Sequence, residues 1–198
     1  MSVDKEKIEL RRRAKELRST WAREGNGEAA KCLKEYFLSI LEDSNFKNKN
    51  SEIIAGFWPI ADEIDVRPLI SELHANGYII ALPVVVGVGK PLIFRVWEPG
   101  IVLEKGGFGT RHPGSNQLEV QPTILLVPLL AFDLNGQRLG WGGGFYDRTI
   151  SKFRSKGSVV TVGVAYQNQQ VDFVPHISTD EPLDWVITET KAQKIIKQ

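Results

Sequence analysis

The chain has 198 residues but little of the chemistry that thiols and imidazoles provide. It contains one cysteine, Cys32, which excludes an internal disulfide and indicates a reducing compartment. Its three histidines lie far apart in the sequence, so together with one cysteine they give little basis for a zinc site. A metal ion, if one is used, should therefore be held by oxygen ligands, which favours Mg²⁺ or Ca²⁺.

Long apolar runs are absent as well. No segment approaches the roughly 20 apolar residues that a membrane-spanning helix needs, and the first residues are charged, unlike those of a secretory signal. We therefore expect a cytoplasmic protein without a membrane partner. The length suits a single domain over residues 1–198, and we expect a monomer or a weak homodimer.

An overall excess of one charge is also missing. The 25 basic and 24 acidic side chains give a net charge of +1, which argues against binding to nucleic acid through bulk charge. The cations are nevertheless concentrated, because residues 1–23 carry eight basic and only four acidic side chains. This segment has a helical stripe of apolar residues and no glycine or proline before Gly25. It is either a solvated amphipathic helix or a cationic helix that leans over an anionic ligand. The stripe consists of Ile8, Leu10, Ala14, Leu17 and Trp21.

Helical and strand patterns alternate along the rest of the chain. Helices are predicted at residues 28–41, from residue 65 to a stop at Gly77, at 145–153 and at 190–196. Strands are predicted at 53–58, 78–86, 92–97, 124–130, 159–165 and 185–188. Residues 45–51 resemble a polar link, and residues 100–123, rich in glycine and proline, a long loop. Since most of the strands are continuously apolar, we predict a single-domain α/β fold: a mainly parallel or mixed sheet with helices on both faces, in three layers.

The most informative segment follows the strand at 124–130. After a turn at Asp133, Asn135 and Gly136, four glycines fall within five positions, and a helix is predicted to begin at Phe145. Glycines let backbone amides approach a phosphate, and a helix N-terminus favours negative charge. Arg138 before the glycines could add a fixed positive charge, and Asp147 could hold a divalent cation. The four glycines are Gly140, Gly142, Gly143 and Gly144.

Spacing alone leaves this interpretation open. The segment is neither a Walker A loop nor a GxGxxG motif. A glycine-rich hairpin or a tight strand–helix corner would use the same residues, and Asp147 could be a first-turn carboxylate that stabilises the helix dipole.

The segment also resembles the signature of a known family. The sequence RLGWGGGFYDR at 138–148, preceded by VPLLAFD at 127–133, is similar to that of 5-formyltetrahydrofolate cyclo-ligases, also called 5,10-methenyltetrahydrofolate synthetases. Three further segments agree in order, and the resemblance extends from about residue 5 to residue 190. They are KIELR at 7–11, WPIADEID at 58–65 and VPHISTDEPLD at 174–184.

The resemblance implies an enzyme that uses ATP as a co-substrate and Mg²⁺ as a cofactor. It would close 5-formyltetrahydrofolate to 5,10-methenyltetrahydrofolate, with phosphorylation of the formyl oxygen, attack by N10 and release of ADP and phosphate. Such chemistry depends on positioning and charge neutralisation, and the sequence offers no convincing Ser/His/Asp or Cys/His arrangement. The alternative is a nucleotide-binding paralogue of the same fold, without cyclo-ligase activity or with another amide-like substrate. Nucleic-acid binding by the basic helix is a weak third option.

The resemblance also implies site residues. Catalytic roles fall on Arg138 and Asp147, and Mg²⁺ ligands on Asp147 and Asp180. ATP contacts fall on Lys7, Arg11, Arg138, Leu139, Gly140, Trp141, Gly142, Gly143, Gly144, Phe145 and Tyr146. Folate contacts fall on Trp58, Glu63, Trp141, Gly142, Gly143, Gly144 and Phe145.

Several of these residues have simpler interpretations. Asp180 could be a turn residue before Pro182, Glu63 a surface loop acid, and Trp58 a core residue at a strand end. As a folate ligand, Glu63 would accept the paired donor edge of the pterin, while an aromatic ring would suit the flat face of the pterin.

Two features depart from the family pattern. Between the glycines, Trp141 keeps an aromatic ring where relatives carry Tyr, Arg or Lys, whereas Gly143 removes any cation that a lysine would supply. Upstream, Arg111 and His112 stand where an acid is usual, and we interpret His112 as a loop residue. Arg12 and Arg13 in the basic helix are expected to be solvated.

Overall fold

Three helices and twelve short strands make up the fold, as described for residues 2–43, 52–157 and 159–196 by a computed structural model. The helices are α1 (Val3–Asp43), α2 (Arg67–Ala75) and α3 (Phe145–Arg154). The strands are β1 (Ile53–Ala55), β2 (Ile79–Val84), β3 (Ile93–Trp97), β4 (Leu103–Lys105), β5 (Arg111–Pro113), β6 (Glu119–Val120), β7 (Ile124–Pro128), β8 (Ala131–Phe132), β9 (Arg138–Leu139), β10 (Val160–Val164), β11 (Trp185–Ile187) and β12 (Ala192–Lys194). None of the helices in these residues is both long and apolar enough to span a membrane.

The main sheet is mixed, as predicted. Its strand order is β12-β11-β10-β7-β1-β2-β3-β6. The five central strands, from β11 to β2, pair in parallel, and antiparallel strands complete both edges. From β1 the chain crosses through α2 to β2 on one side, whereas from β7 it crosses through α3 to β10 on the other side. The order of the strands therefore reverses between β1 and β7, the position at which open α/β sheets bind ligands beyond the carboxyl ends of their strands.

Helices cover both faces of the sheet, which confirms the three-layer prediction. On one face, Phe37 of α1 and Ile70 of α2 share an apolar cluster with Ile54 and Leu126 of the sheet. On the other face, Ile150 and Phe153 of α3 pack with alternate strand residues such as Leu125. The parallel strands are buried on both sides, which explains why they form continuous apolar runs in the sequence.

The first two predicted helices are one. Gly25, where the first was expected to end, lies inside the 41-residue α1. A glycine costs a helix about 1 kcal/mol relative to alanine. That cost is outweighed because Ala14 before it and Leu33 after it are both buried against the rest of the molecule. The predicted apolar stripe of the basic half is also wrong in part, since Ile8 and Leu17 are exposed.

Two predictions near the sheet edges are corrected. Residues 190–196 do not form a helix; they contain β12, which turns back on β11 through a hydrogen bond from Thr188 N to Lys191 O and buries Ile195. Residues 100–123 are not simply a loop, because they contain the hairpin of β4 and β5 and the edge strand β6. Short strands with mixed polarity lack the apolar run on which the strand predictions depended. The predicted polar link at 45–51 lies outside the described residues.

Candidate active site

A cavity of about 940 Å³ opens beyond the carboxyl ends of β1 and β7. Its walls come from the start of α1, the segment after β1, the turn between β4 and β5, the glycine turn before α3, and Asp180. All fifteen residues that the family resemblance implicated line it. They are Lys7, Arg11, Trp58, Glu63, Arg138, Leu139, Gly140, Trp141, Gly142, Gly143, Gly144, Phe145, Tyr146, Asp147 and Asp180. Four segments that are distant in the sequence therefore meet at one place.

The glycine turn owes its shape to two left-handed residues. Gly142 has φ +101° and Gly144, the residue that caps α3, has φ +62°. L side chains rarely adopt these conformations, so glycine is required at both positions. The turn is anchored upstream by buried Asp133, whose Oδ1 accepts hydrogen bonds from Asn135 N and Gln137 N. It thus brings exposed backbone and the N-terminus of α3 to the cavity, an arrangement suited to an anion.

Two cations of α1 line the cavity, and one of them contacts this turn. Arg11 Nε donates to Gly140 O at 3.0 Å, and its guanidinium lies beside Gly142. One helical turn earlier, the buried Lys7 Nζ lies 2.5 Å from Asp180 Oδ2. Arg12 and Arg13 on the outer face are exposed, as predicted. The basic helix therefore presents selected cations to the cavity and leaves the others in solvent.

Arg138 and Asp147 form a pair at the base of the turn. Arg138 Nη2 donates to Asp147 Oδ1 at 2.7 Å, and its Nη1 donates to the carbonyl oxygen of Glu181. Burial lowers the pKa of the Arg138 guanidinium, while the Asp147 carboxylate opposes this shift. Asp147 Oδ1 also accepts a hydrogen bond from Glu181 N at 3.2 Å. Within residues 2–43, 52–157 and 159–196, Asp147 Oδ2 accepts no hydrogen bond, so this oxygen is available to a ligand.

Glu63 is buried, not a surface loop acid: only 5% of the residue is exposed. Its Oε1 accepts a hydrogen bond from Trp141 Nε1 at 3.0 Å, and its Oε2 accepts one from Ile60 N at 2.9 Å. Burial raises the pKa of this carboxyl group, while these two hydrogen bonds and the charge of Arg18 oppose the rise. The turn that carries Glu63 includes Ala61 at φ +51°, a conformation uncommon outside glycine. The carboxylate is thus held in a fixed position in the cavity wall.

Aromatic rings form the other walls. Trp58 lines the cavity and also packs against Trp97 of the core, with ring centroids 6.3 Å apart, so its interpretation as a residue packed on the core is confirmed and its contact with folate stays a prediction. Phe108 is largely exposed at φ +60° and meets Phe145 edge to face at 5.6 Å. Burial raises the pKa of Tyr146 well above its usual range. These rings give a flat ligand faces on which to stack.

Asp180 serves as a turn residue and lines the cavity as well. Its Oδ2 accepts a hydrogen bond from Ile177 N at 2.7 Å in addition to the contact with Lys7. Within the described ranges, no group of three or more His, Cys, Asp or Glu side chains is arranged to hold a metal ion. Among the described residues, Asp147 and Asp180, which the family resemblance implicated as metal ligands, line the cavity together with the acids Asp4 and Glu63. Such a partial set suits Mg²⁺, which usually keeps water and takes oxygens from a phosphate ligand.

The sequence interpretation did not single out Lys15 and Arg18, which contact the cavity wall, nor lining residues such as Asp4 and Phe108. Arg18 is buried beside Glu63, and Lys15 Nζ lies 4.7 Å from the centroid of the Trp141 ring. The signal for Arg18 was its spacing, eleven and seven residues after Lys7 and Arg11, which places all three on one side of a helix. His112 does not line the cavity, but it lies in β5 and not in a loop, and its Nδ1 lies 3.0 Å from Pro113 O.

Comparison with known proteins identifies the family of this chain. The family model described as the 5-formyltetrahydrofolate cyclo-ligase family matches residues 3–189. The 5-formyltetrahydrofolate cyclo-ligase of Haemophilus influenzae is 33% identical over 180 residues, which cover 88% of this chain and 93% of that protein. The Escherichia coli K12 enzyme of the same name is 35% identical over 144 residues, or 70% of this chain and 78% of that protein.

Solved structures give the same result. The NMR structure of Aquifex aeolicus 5,10-methenyltetrahydrofolate synthetase aligns with a TM-score of 0.72 and 28% identity, covering 96% of this chain and 92% of that one. The Mycoplasma pneumoniae 5,10-methenyltetrahydrofolate synthetase aligns at 0.71 with 21% identity, over 92% of this chain and 98% of that one, and supports the fold alone. This chain therefore belongs to the 5-formyltetrahydrofolate cyclo-ligase family.

Proposed function

We propose that this protein converts 5-formyltetrahydrofolate to 5,10-methenyltetrahydrofolate with ATP and Mg²⁺, releasing ADP and phosphate. The observation that carries this proposal is that four segments distant in the sequence converge on one cavity. The glycine turn and basic side chains line one end of this cavity, and aromatic rings line the other. Family membership supports the reaction, and the volume and lining of the cavity support the binding of both substrates there. Such an enzyme would work in the cytoplasm.

The phosphate end consists of the glycine turn, Lys7, Arg11 and Arg138. Their positive charge and the N-terminus of α3 would hold the triphosphate of ATP. Gly143 supplies no cation at this turn, and any Cβ there would lie 2.7 Å from the ring of Phe145. The charge of ATP must therefore be met by α1, by Arg138 and by a metal ion.

Mg²⁺ would be held by Asp147 and Asp180 together with phosphate oxygens. When bound, it would neutralise charge on the transferring phosphate. Asp147 has the free Oδ2 that such a ligand needs, while Arg138 fixes the other oxygen and so orients the carboxylate. Asp180 Oδ1 is also free of hydrogen bonds within the described segments.

The folate end consists of Glu63, Trp58, Trp141 and the Phe108–Phe145 pair. An ionised Glu63 would accept the exocyclic amine and ring N–H of the pterin, and the rings would hold its face. The formyl group on N5 would then face the γ-phosphate at the glycine turn. Holding both reactants in one cavity contributes to the rate by orientation.

The reaction then needs no protein nucleophile. The formyl oxygen attacks the γ-phosphorus, an O–P bond forms, and the bond between this phosphorus and the bridging oxygen of ADP breaks. N10 attacks the activated formyl carbon and passes its proton to a phosphate oxygen, and the C–O bond then breaks to release hydrogen phosphate. The fixed donors around the glycine turn are placed to stabilise charge on the phosphate during both steps.

One assay tests the proposal. The purified protein is mixed with ATP, Mg²⁺ and 5-formyltetrahydrofolate, and the absorbance of the methenyl product is followed beside release of ADP. We expect one methenyl product per ADP, with no product when ATP is omitted. ATP binding without any methenyl product would favour the alternative, a nucleotide-binding paralogue with another substrate.

A further inference from the structure

Arg18 is a buried cation behind the folate end of the cavity. It lies on the side of α1 that carries Lys7 and Arg11, but unlike them it does not line the cavity. Only 2% of the residue is exposed. It can therefore influence a bound substrate only through the residues that it contacts.

Those contacts converge on the Glu63–Trp141 pair. Arg18 Nη1 lies 4.0 Å from Glu63 Oε1, the same oxygen that accepts the hydrogen bond from Trp141. The Arg18 Cζ atom also lies 5.1 Å from the centroid of the Trp141 ring, within range of a cation–π interaction. Arg18 thus touches both members of a pair that forms one wall of the cavity.

The remaining contacts of Arg18 are poor for a purely structural residue. Its Nη1 donates to Leu129 O at a long 3.4 Å, and in the described part of the chain its buried Nε has no hydrogen-bond partner. Burial lowers the pKa of this guanidinium. A buried charge with incomplete hydrogen bonding stabilises a fold less well than an apolar side chain of similar volume. The stability of the fold therefore does not explain why a cation stands here.

The charges around Glu63 do offer an explanation. Asp62 in its own loop is acidic, whereas the phenols of Tyr146 in α3 and Tyr166 after β10 carry no charge near neutral pH, and burial raises the pKa of both, to about 12 for Tyr166. Lys15 lies over the ring of Trp141. Arg18 is the cation nearest to the buried carboxylate among the described side chains, so it opposes the effect of burial on Glu63.

We propose that Arg18 is a positioning residue for folate: it keeps Glu63 ionised and fixes the Glu63–Trp141 pair so that the carboxylate is ready for the donor edge of the pterin. This role rests on the proposed function. It concerns the folate end of the cavity alone, because Arg18 does not reach the glycine turn. Removing the charge should weaken folate binding and leave ATP binding unchanged.

The test compares three variants of the full chain with the unmodified protein. Arg18→Met removes the charge and keeps much of the volume, and Arg18→Lys keeps the charge but not the planar fork. Arg13→Met is the matched control, because Arg13 is an exposed arginine of the same helix. For each protein, kcat and the KM values for 5-formyltetrahydrofolate and for ATP are measured, and folding is checked by thermal unfolding.

We expect Arg18→Met to raise KM for 5-formyltetrahydrofolate by about tenfold, the loss typical of one charge-assisted contact. KM for ATP should stay within about twofold, Arg18→Lys should lie between the two, and Arg13→Met should match the unmodified protein. In a Glu63→Gln background, Arg18→Met should have little further effect on KM for folate, because the two residues act together.

The pH dependence of kcat/KM for folate distinguishes a role of Arg18 in positioning Glu63 from a role in the stability of the fold alone. Loss of the Arg18 charge raises the pKa of Glu63 further, so the acid-side fall of kcat/KM for folate should move to higher pH in Arg18→Met. Equal rises in both KM values, or a lower melting temperature with an unmoved pH profile, would overturn the proposal for Arg18. If Arg18→Met does not fold, an Arg18→Lys variant with unchanged KM for folate and an unmoved profile would overturn it as well. An unmodified protein that makes no methenyl product would instead overturn the proposed function.

Discussion

At the scale of single residues, Glu63 and Asp147 are two carboxylates with different surroundings. Glu63 is buried, both of its oxygens accept hydrogen bonds, and burial raises its pKa. Asp147 is about one-quarter exposed at its side chain, and only one of its oxygens is held. A fixed, buried carboxylate suits recognition of a donor pair, whereas one with a free oxygen suits a metal ion.

Glu63→Gln should raise KM for 5-formyltetrahydrofolate by tenfold or more, on the order of one charge-assisted hydrogen bond. KM for ATP should not change. Because the pKa of Glu63 is raised, its carboxylate is protonated as the pH falls through that value, and kcat/KM for folate should fall with it. The variant should lack this acid-side fall. Normal folate affinity in Glu63→Gln would contradict the assigned role.

Asp147→Asn should lower kcat by about 10²- to 10³-fold, the loss typical of one preorganised electrostatic group, and Asp147→Ala should abolish turnover. Asparagine keeps an acceptor oxygen for Arg138, so the melting temperature should change less in Asp147→Asn than in Asp147→Ala, which leaves a buried guanidinium unpaired. Titration with Mg²⁺ should require higher concentrations in Asp147→Asn. Asp172→Asn, at an exposed acid outside the cavity, is the control. Full activity of Asp147→Ala would refute the metal role.

At the scale of elements, two turns shape the cavity by adopting uncommon backbone conformations. The glycine turn uses glycine where φ is positive, whereas the turn between β4 and β5 places Phe108 itself in a left-handed conformation. A non-glycine residue in such a conformation is strained, and such strain clusters at functional sites. Gly109, the neighbour of Phe108, lies beside Ile60, so the turn between β4 and β5 also packs against the turn that carries Ala61 and Glu63.

Gly144→Ala should destabilise the protein by about 1–2 kcal/mol, the cost of a left-handed alanine, and should raise KM for ATP. Its new Cβ would lie 2.6 Å from Arg148 Nη1, so this side chain, which donates from Nη2 to Gly143 O in the turn, must shift. Gly77→Ala separates the loss of stability from the loss of ATP affinity, because Gly77 has φ +89° but no atom within 4 Å of its Cβ position. Thermal unfolding should show a similar loss in both variants, with unchanged KM for ATP only in Gly77→Ala. An unchanged KM for ATP in Gly144→Ala would argue against phosphate binding at the turn.

At the scale of the whole molecule, α1 joins the core to the cavity. Its later half buries Leu33, Phe37 and Ile40 against the sheet, and its first half brings Arg11 to the glycine turn and Lys7 to Asp180 in the same cavity. ATP bound at this turn would therefore connect the first half of α1 to the β9–α3 segment. A ligand that binds only the folded state stabilises it by mass action.

ATP with Mg²⁺ should raise the melting temperature, with a gain of about 2.7 kcal/mol at a hundredfold excess over Kd. A double variant, Lys7→Ala with Arg11→Ala, should lose most of this shift but keep the shift caused by 5-formyltetrahydrofolate. Arg12→Ala is the control, since Arg12 pairs only with Glu9 and Glu16 at the surface among the described residues. A full ATP-induced shift in the double variant would show that α1 does not hold the nucleotide.

Much of the fold was predictable because its strands are buried on both faces. Continuous apolar runs such as 124–130 and 159–165 identify β7 and β10 to within two residues at either end. The single α1 was not predictable, since the intrinsic cost of Gly25 is visible in the sequence and the tertiary packing that outweighs it is not. The same holds for β12, which depends on pairing with β11 rather than on its own residues.

For the site, the sequence predicted which residues line the cavity better than it predicted their burial and their contacts. Every site residue predicted from the glycine segment and from the three other matching segments lines the cavity. The roles of these residues remain predictions. The burial of Glu63 and the contact of Arg18 with it depend on the placement of α1 over the carboxyl end of β1. Residues 18 and 63 are linked by no local pattern, so only the three-dimensional structure shows that they meet.

Trp141 gives this site a spectroscopic signal of its own. It is the most exposed of the five tryptophans, it donates to Glu63, and it lies beside the charges of Lys15 and Arg18. Indole emission depends on the polarity and the charges around the ring, so a folate that reaches Glu63 must change the fluorescence of this residue. Occupancy of the folate end can therefore be followed in real time, without a label, in the enzyme as it stands.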